Sequence, residues 1–522
     1  MAGRHARRAV IAAAAAACTV VAGAALGLTL TGGSGAGSTG DETRALRTIP
    51  AVRSFQPESG PGWRPGRDTR VVADPDGPLA DEARLLAREL KVDYATGDAG
   101  PGDVELVLDE EVTGGPEAYR LTTEDDRVTI AGSADNGVFY GTRTLLQALR
   151  TQGRMPQGTV EDRPDRPQRG LLLDIARKHY DAAWIRARVR EMADLKLNQL
   201  HLHFSDDQAF RLESRTHPEV VSEQHLTREE LRDIVRLAHA RHVTVVPELD
   251  SPGHLGAVLR AHPELQLRDA RGRPVAGAVD ISRPEAGRLV DDLVREFAPL
   301  FGAGAEKELG RYWHVGGDEY QALTVADPET AFPQLARRAR SAHGPRATVR
   351  DLTTAWLNDR AETVRSLGWT PQMWNDGMHA DGEVRPTRRG QVTYWTGVEQ
   401  GQRDPAEYLR EGRRLVNVND AYLYYVLGEP NQFRYPTGER IYREWTPAVL
   451  RGREPEPASS TGPDRVLGAR FAVWGDRPEA QTAEQVAEGI RLPLAAFAQK
   501  VWDPRPPQQS WREFTALANR LD

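Results

Sequence analysis

Asp318 and Glu319 stand side by side in RYWHVGGDEY, residues 311–320. An apolar, β-prone stretch runs there into two glycines and then into the two carboxylates. Glycines allow a turn and a close approach by a ligand. Two adjacent carboxylates at a strand end cannot both ionise freely, so at least one should hold its proton more tightly than usual. A carboxyl kept protonated near neutral pH is what a general acid needs. Standing alone, the same residues also read as an acidic surface turn.

They do not stand alone. Eight short apolar stretches (170–175, 198–204, 243–249, 312–315, 371–374, 391–395, 415–418 and 467–474) follow one another, with helical patterns between most of them. Thr227 with Glu230, and Ser282 with Glu285, have capping-box spacing. Val189, Met192 and Leu195 space as one helix face. Repeated strand–helix units over such a length predict an α/β fold with a (β/α)8 TIM-barrel catalytic domain, whose active site lies at the C-terminal ends of the strands. A doubly wound sheet is the alternative, but no Gly-rich phosphate fingerprint follows a strand.

Reading those strand ends gives Asp174; His201, His203, Asp206 and Asp207; Glu248, Asp250 and His254; Asp318 and Glu319; Trp374 and Asp376; Trp395; Asp420; and Trp474 and Asp476. Acids over aromatic walls are how proteins hold sugars: hydroxyls need charged acceptors, and the C–H faces of a ring stack on indole. Simpler readings exist. Asp174 and Asp376 are suited to capping the helices that follow. Any single tryptophan can be core. His201 and His203 alternate onto one strand face, where an HxH pair can bind a metal.

Before the barrel, a helix pattern over 80–90, short strands over 104–108, 118–122 and 128–131, and a closing helix over 137–149 predict a small α+β domain. The Pro-rich EDRPDRPQ ends it. The expected domains are 1–34, a targeting segment; 35–48, a flexible linker; 49–167, the small domain; and 168–522, the barrel. Basic residues ahead of an apolar run from Ala9 to Leu30 fit a secretory signal. The run is also long enough for an uncleaved anchor, so the protein is expected outside the cell, secreted or anchored at the outer face of the membrane. Cys18 is the only cysteine, which leaves the exported part without a disulfide. A net charge of −7, from 68 basic residues scattered among 75 acidic ones, speaks against a nucleic-acid partner.

Taken together, HVGGDEY, RGLLLDIARKHY, LHFSDDQAFR, PELDSPGH and AVWGD resemble glycoside hydrolase family 20, the β-N-acetylhexosaminidases. EAYRL and GVFYGTRTLLQAL resemble that family's small N-terminal domain. The resemblance covers about residues 50–505. It implies removal of terminal β-linked N-acetylglucosamine or N-acetylgalactosamine from an amino-sugar glycan with retention, using the substrate's own acetamido group. It implies no cofactor and no metal. It makes Glu319 the acid and then the base. Asp318 holds the acetamido N–H while an oxazolinium ion forms. Arg169 binds the 3- and 4-hydroxyls. Asp206, Asp250 and His254 form a network around the acid, with Asp207 weaker than Asp206. Trp374, Trp395 and Trp474 wall the pocket.

Strand seven departs from the family. Many members have Tyr-x-Asp there, the Tyr donating to the acetamido carbonyl and the Asp binding the far hydroxyls. Here the segment is NDAYLYYVLG. Tyr422 fits the donor and Tyr424 stands where the Asp is expected, leaving Asp476 for the far hydroxyls. The alternative register makes Tyr424 or Tyr425 the donor. Two other activities compete: a lacto-N-biosidase-like enzyme of the same mechanism, and a metal-dependent barrel hydrolase using His201 and His203. A catalytically silent sugar-binding protein is a further alternative.

Overall fold

The computed structural model describes residues 46–302, 310–395, 403–429 and 432–522. The expected targeting segment, and the expected linker up to residue 45, lie outside these. Within the described residues, Leu46 is buried and the Arg47 amide donates to Gln152.

The small domain is a seven-stranded mixed sheet, with helices Ala80–Leu90 and Asp135–Gln152 packed on it. The longer helix buries most of its residues, among them Phe139, Tyr140 and Leu145. Its glycines fit this burial: a Cβ on Gly141 would lie 2.3 Å from Ile130.

Beyond it, eight parallel strands close into a barrel: Gln168–Asp174, Gln199–Ser205, Thr244–Leu249, Tyr312–His314, Thr370–Trp374, Gln391–Tyr394, Arg414–Asn417 and Val466–Trp474. Closure comes from strand seven pairing with strand eight, and strand eight with strand one. The strands are near-continuous apolar runs because both faces are covered, by helices outside and side chains inside. Every residue of strands one, two, three and eight is buried. The TIM barrel preceded by a small α+β domain is therefore the fold. The Thr227–Glu230 capping box forms. The one expected at Ser282 does not: Arg283 is the cap residue, and the Ser282 hydroxyl donates instead to Asp280 Oδ1 at 2.6 Å.

One further strand matters to the site. Tyr424–Val426 leaves the barrel ring and pairs in parallel with the outer end of strand eight, Tyr424 opposite Ala472 and Val426 opposite Trp474. It follows a single helical turn, Asp420–Leu423.

Candidate active site

Strand four is only three residues long and ends at His314. The chain then turns through Gly316 and Gly317, with φ of 71° and 109°, a region that favours glycine. A Cβ on Gly316 would lie 1.6 Å from Asp250 Oδ1, and the Gly317 amide donates to that same oxygen at 2.9 Å. Gly316 thus admits the Asp250 carboxylate and Gly317 the Leu357 side chain, not a ligand as their sequence context implied. Glu319 itself has φ of 47° and is fixed by its amide, which donates to Asp376 Oδ2 at 3.0 Å. A non-glycine held in this region stores of order 1–3 kcal/mol, the kind of strain that collects at functional sites.

The turn delivers both carboxylates to one imidazole. His254 Nε2 lies 3.6 Å from Asp318 Oδ2 and 3.5 Å from Glu319 Oε2, while its Nδ1 is 3.2 Å from Asp206 Oδ1. Burial would lower the His254 pKa, but Asp206 and then Asp318 hold it well above the usual histidine range. Asp206 has the opposite fate. Burial would raise it, yet Arg177 at 2.7 Å, His254 and His203 keep it well below the carboxylate range. Burial and then the charge of Asp250 push Asp318 well up, and burial pushes Asp250 up to about 7. The two carboxylates lie within 4.8 Å of one another, so each opposes ionisation of the other. Asp318 is mostly buried whereas the Glu319 side chain is 46% exposed, so Glu319 is the more accessible carboxyl of the two.

Trp374, Trp395 and Trp474 border the same pocket with Tyr424. Trp395 and Tyr424 are parallel within 1° at 5.7 Å, and Trp474 is tilted against both Trp374 and Tyr424. The Trp395 indole donates to Asp376 Oδ1 at 2.9 Å and the Trp374 indole to Glu248 Oε1 at 2.6 Å. Asp476 lies exposed at the rim. A small polar ring would thus be boxed by aromatic faces, with carboxylates at two of its edges.

Two expected contacts are elsewhere. Arg169 is the second residue of strand one and so sits at the barrel's opposite end. It is fully buried and bidentate with Glu117 of the small domain, at 2.7 and 2.9 Å, beneath Trp502. It joins the two domains and does not line the pocket. Arg177 lines it instead, 3.0 Å from Asp174, 2.7 Å from Asp206 and 5.5 Å over the Trp474 ring. The available signal was position: barrel sites form at strand C-terminal ends, and Arg177 is three residues past one. Tyr422 is the second. Its helical turn directs it away, the hydroxyl donating to Glu444 at 2.9 Å with Arg440 over the ring. Alternation along the short strand puts Tyr424 and Val426 on the pocket face, and turns Tyr425 outward onto Tyr435. Val426, not a carboxylate, therefore occupies the second pocket-facing position.

Asp376, read as a helix cap, instead holds Trp395 and the Glu319 backbone. Asp174 accepts from the Ala176 and Arg177 amides, as a cap would, and also pairs with Arg177. Asp207 accepts from the Gly256 amide. His201 and His203 are tied into the barrel interior: Arg470 contacts His201 Nδ1 at 2.9 Å, and His203 bridges Glu248 and Asp206 at 2.8 and 2.9 Å. A guanidinium against one ring, and a second ring whose neighbouring carboxylates outweigh burial to push its pKa to about 10, oppose a metal there.

Two family models match the chain: the catalytic domain of glycosyl hydrolase family 20 over residues 167–505, and that family's domain 2 over residues 45–163. The chain belongs to glycosyl hydrolase family 20. It is 30% identical over 485 residues to the lacto-N-biosidase of Bifidobacterium bifidum, which takes in 91% of this chain and 41% of that protein. It is 31% identical over 474 residues to a β-hexosaminidase of Porphyromonas gingivalis, covering 85% and 58%. A β-hexosaminidase of Akkermansia muciniphila is 32% identical over 416 residues, covering 72% and 77%. The chain thus spans about half the length of the first two. Among solved structures, the β-N-acetylhexosaminidase of Streptomyces coelicolor shares the fold, with a TM-score of 0.70 at 24% identity over 91% and 94% of the chains. The family is one of glycoside hydrolases, and the relatives named here are β-hexosaminidases and a lacto-N-biosidase.

Proposed function

We propose that this family 20 enzyme is exo-acting, releasing a terminal β-linked N-acetylhexosamine with retention by substrate-assisted hydrolysis outside the cell. The observation that carries the reading is the Asp318–Glu319 pair meeting His254 above an aromatic box. Glu319 protonates the leaving oxygen and later takes a proton from water. Asp318, deeper and against Asp250, receives the acetamido N–H, so that the carbonyl oxygen attacks the anomeric carbon. Tyr424, on the pocket face, is the residue suited to donate to that carbonyl. The basic and apolar N-terminal sequence supports export. Aryl β-N-acetylglucosaminide and galactosaminide should be cleaved with retention, and a thiazoline analogue should inhibit strongly; inversion, or indifference to the thiazoline, would overturn the mechanism. Chelator should leave the rate unchanged, and a loss restored by zinc would return His201 and His203 to consideration.

A second reading, release of a disaccharide as by a lacto-N-biosidase, is favoured by Val426. No carboxylate from that strand clasps the far hydroxyls, so the bound amino sugar need not be the unsubstituted chain end. Comparing kcat/KM on aryl lacto-N-bioside and aryl N-acetylglucosaminide separates the two. A large excess for the disaccharide selects the second.

A further inference from the structure

Away from the pocket, two short turns repeat one another. His217-Pro218-Glu219 and His262-Pro263-Glu264 each open a 3₁₀ turn, Pro218–Val220 and Pro263–Leu265, and each ends on a buried aliphatic residue. The two histidines adopt nearly the same backbone, φ −134° and ψ 62° against φ −124° and ψ 60°. The turns lie in the loops after barrel strands two and three, so their side chains meet. Glu219 Oε1 is 3.0 Å from His217 Nδ1 and 3.0 Å from His262 Nε2, and the three donor atoms lie within 4.8 Å of one another. The remaining nitrogen of His262, Nδ1, is 3.2 Å from Glu264 Oε1.

Unlike His203 and His254, which also face carboxylates through both nitrogens, these rings lie near the surface, where an ion can enter. Each nitrogen of His262 faces a carboxylate oxygen. Both contacts are hydrogen bonds only when the ring carries two protons; in the neutral ring one contact sets a lone pair against an anion. A divalent cation among His217 Nδ1, Glu219 Oε1 and His262 Nε2 removes the conflict. Glu264 then accepts from His262 Nδ1–H, the carboxylate–histidine–metal relation that fixes tautomer and ring direction at metal sites. Donors in a tetrahedral zinc site at ordinary bond lengths are about 3.3 Å apart, so the 3.0 Å contacts need open by only a few tenths of an ångström. Two imidazoles and a carboxylate select a transition ion over magnesium or calcium. The side chains are 19%, 42% and 23% exposed, which leaves a face for entry and for a bound water.

We propose that His217, Glu219 and His262, oriented by Glu264, form a zinc-type site that clamps the loop after strand two to the loop after strand three. The first loop carries Asp206 and the second His254, but the clamp touches no substrate, and it stands or falls separately from the hydrolytic reading.

The test uses the full chain without a polyhistidine tag, stripped by chelator. Zinc is titrated by calorimetry, and cobalt by its visible absorption. One zinc equivalent, a tetrahedral cobalt band and a rise in melting temperature are expected for wild type. His217→Ala with His262→Ala should abolish all three while the aryl glycosidase rate persists, which also shows that the variant folds. Glu264→Gln should keep the stoichiometry and weaken binding about 10–100-fold. Absence of a cobalt band at millimolar metal, or an equivalent bound as tightly by the double variant as by wild type, would overturn the site.

Discussion

Glu248 and Asp318 are both shielded carboxylates in one barrel, yet their surroundings drive them apart. Around Glu248, Oε1 accepts from the Trp374 indole at 2.6 Å and lies 3.0 Å from His314, while Oε2 lies 2.8 Å from His203 and 3.0 Å from His201. Burial alone would raise its pKa, but these rings hold it well below the usual range. Asp318 is short of donors, and its Oδ1 has none. Its neighbours include Asp250 and Asp376, and its pKa goes well up. Burial is common to both. What differs is whether cations and donors, or other anions, fill the surroundings. The layer around Glu248 is thereby held ionised, whereas the layer around Asp318 favours a bound proton. His203 joins them, Nδ1 to Glu248 and Nε2 to Asp206, and Asp206 passes the contact to His254.

The contrast is broken most severely from above. Glu319→Gln should cost about 10²–10⁴ in kcat/KM on a disaccharide glycoside, whose leaving oxygen needs full protonation, and far less on an activated aryl glycoside. Equal losses on the two substrates would remove Glu319 from the acid role. Asp318→Asn should lower kcat by about 10²–10³, the size seen when one stabiliser of developing charge is removed, with little change in KM. A loss confined to KM would make Asp318 a binding group only.

From below, the damage should be to stability. Glu248→Gln breaks a fully buried, multiply paired carboxylate and should cost about 3–5 kcal/mol. Denaturant unfolding would read the loss, and the folded fraction should keep kcat within an order of magnitude. A near-normal midpoint with a collapsed kcat would move Glu248 into the chemistry and erase the distinction between layers.

The barrel was legible because apolar runs alternate with helical patterns, and all eight strands fall within two residues of their expected ends. The strand-end rule gathered Asp206, Asp250, His254, Asp318 and Glu319 among a longer set of candidates, and the family resemblance picked them out. What the sequence hides is direction. Tyr422, Tyr424 and Tyr425 are near-equivalent as letters; a helical turn followed by an added strand decides which faces the pocket, and that strand exists only through its pairing with strand eight. Arg169 and Arg177 differ in the same way, one at each end of strand one. Accordingly, Tyr422→Phe should leave kcat nearly unchanged, whereas Tyr424→Phe, losing one hydrogen bond to charge developing on the acetamido group, should lower it about 10-fold. A reversed order in steady-state kinetics would restore the first register.

The smallest effect sharpens the contrast most, because it changes a charge and hardly any shape. After burial, the charge of Asp250 does most to raise Asp318. In the proposed mechanism the ionised form of Asp318 holds the acetamido nitrogen as it becomes positive. Protonating the pair therefore removes activity, and kcat/KM should fall as pH drops through an acid limb raised well above the ordinary aspartate range by burial and the charge of Asp250. Asp250→Asn deletes the like charge, which makes Asp318 easier to ionise, and its amide can donate to the Asp318 carboxylate. Both changes lower the Asp318 pKa, so the acid limb should move to lower pH. The Gly317 amide can keep its acceptor in the asparagine oxygen, so the turn need not move. Stability should respond with a related sign. The folded pair binds a proton that the unfolded chain releases, so wild-type stability declines as pH rises from the ordinary aspartate range towards 7. That decline should flatten in Asp250→Asn. An acid limb that stays in place would mean that Asp250 does not set the Asp318 charge, and that burial alone, the feature Asp318 shares with Glu248, governs it.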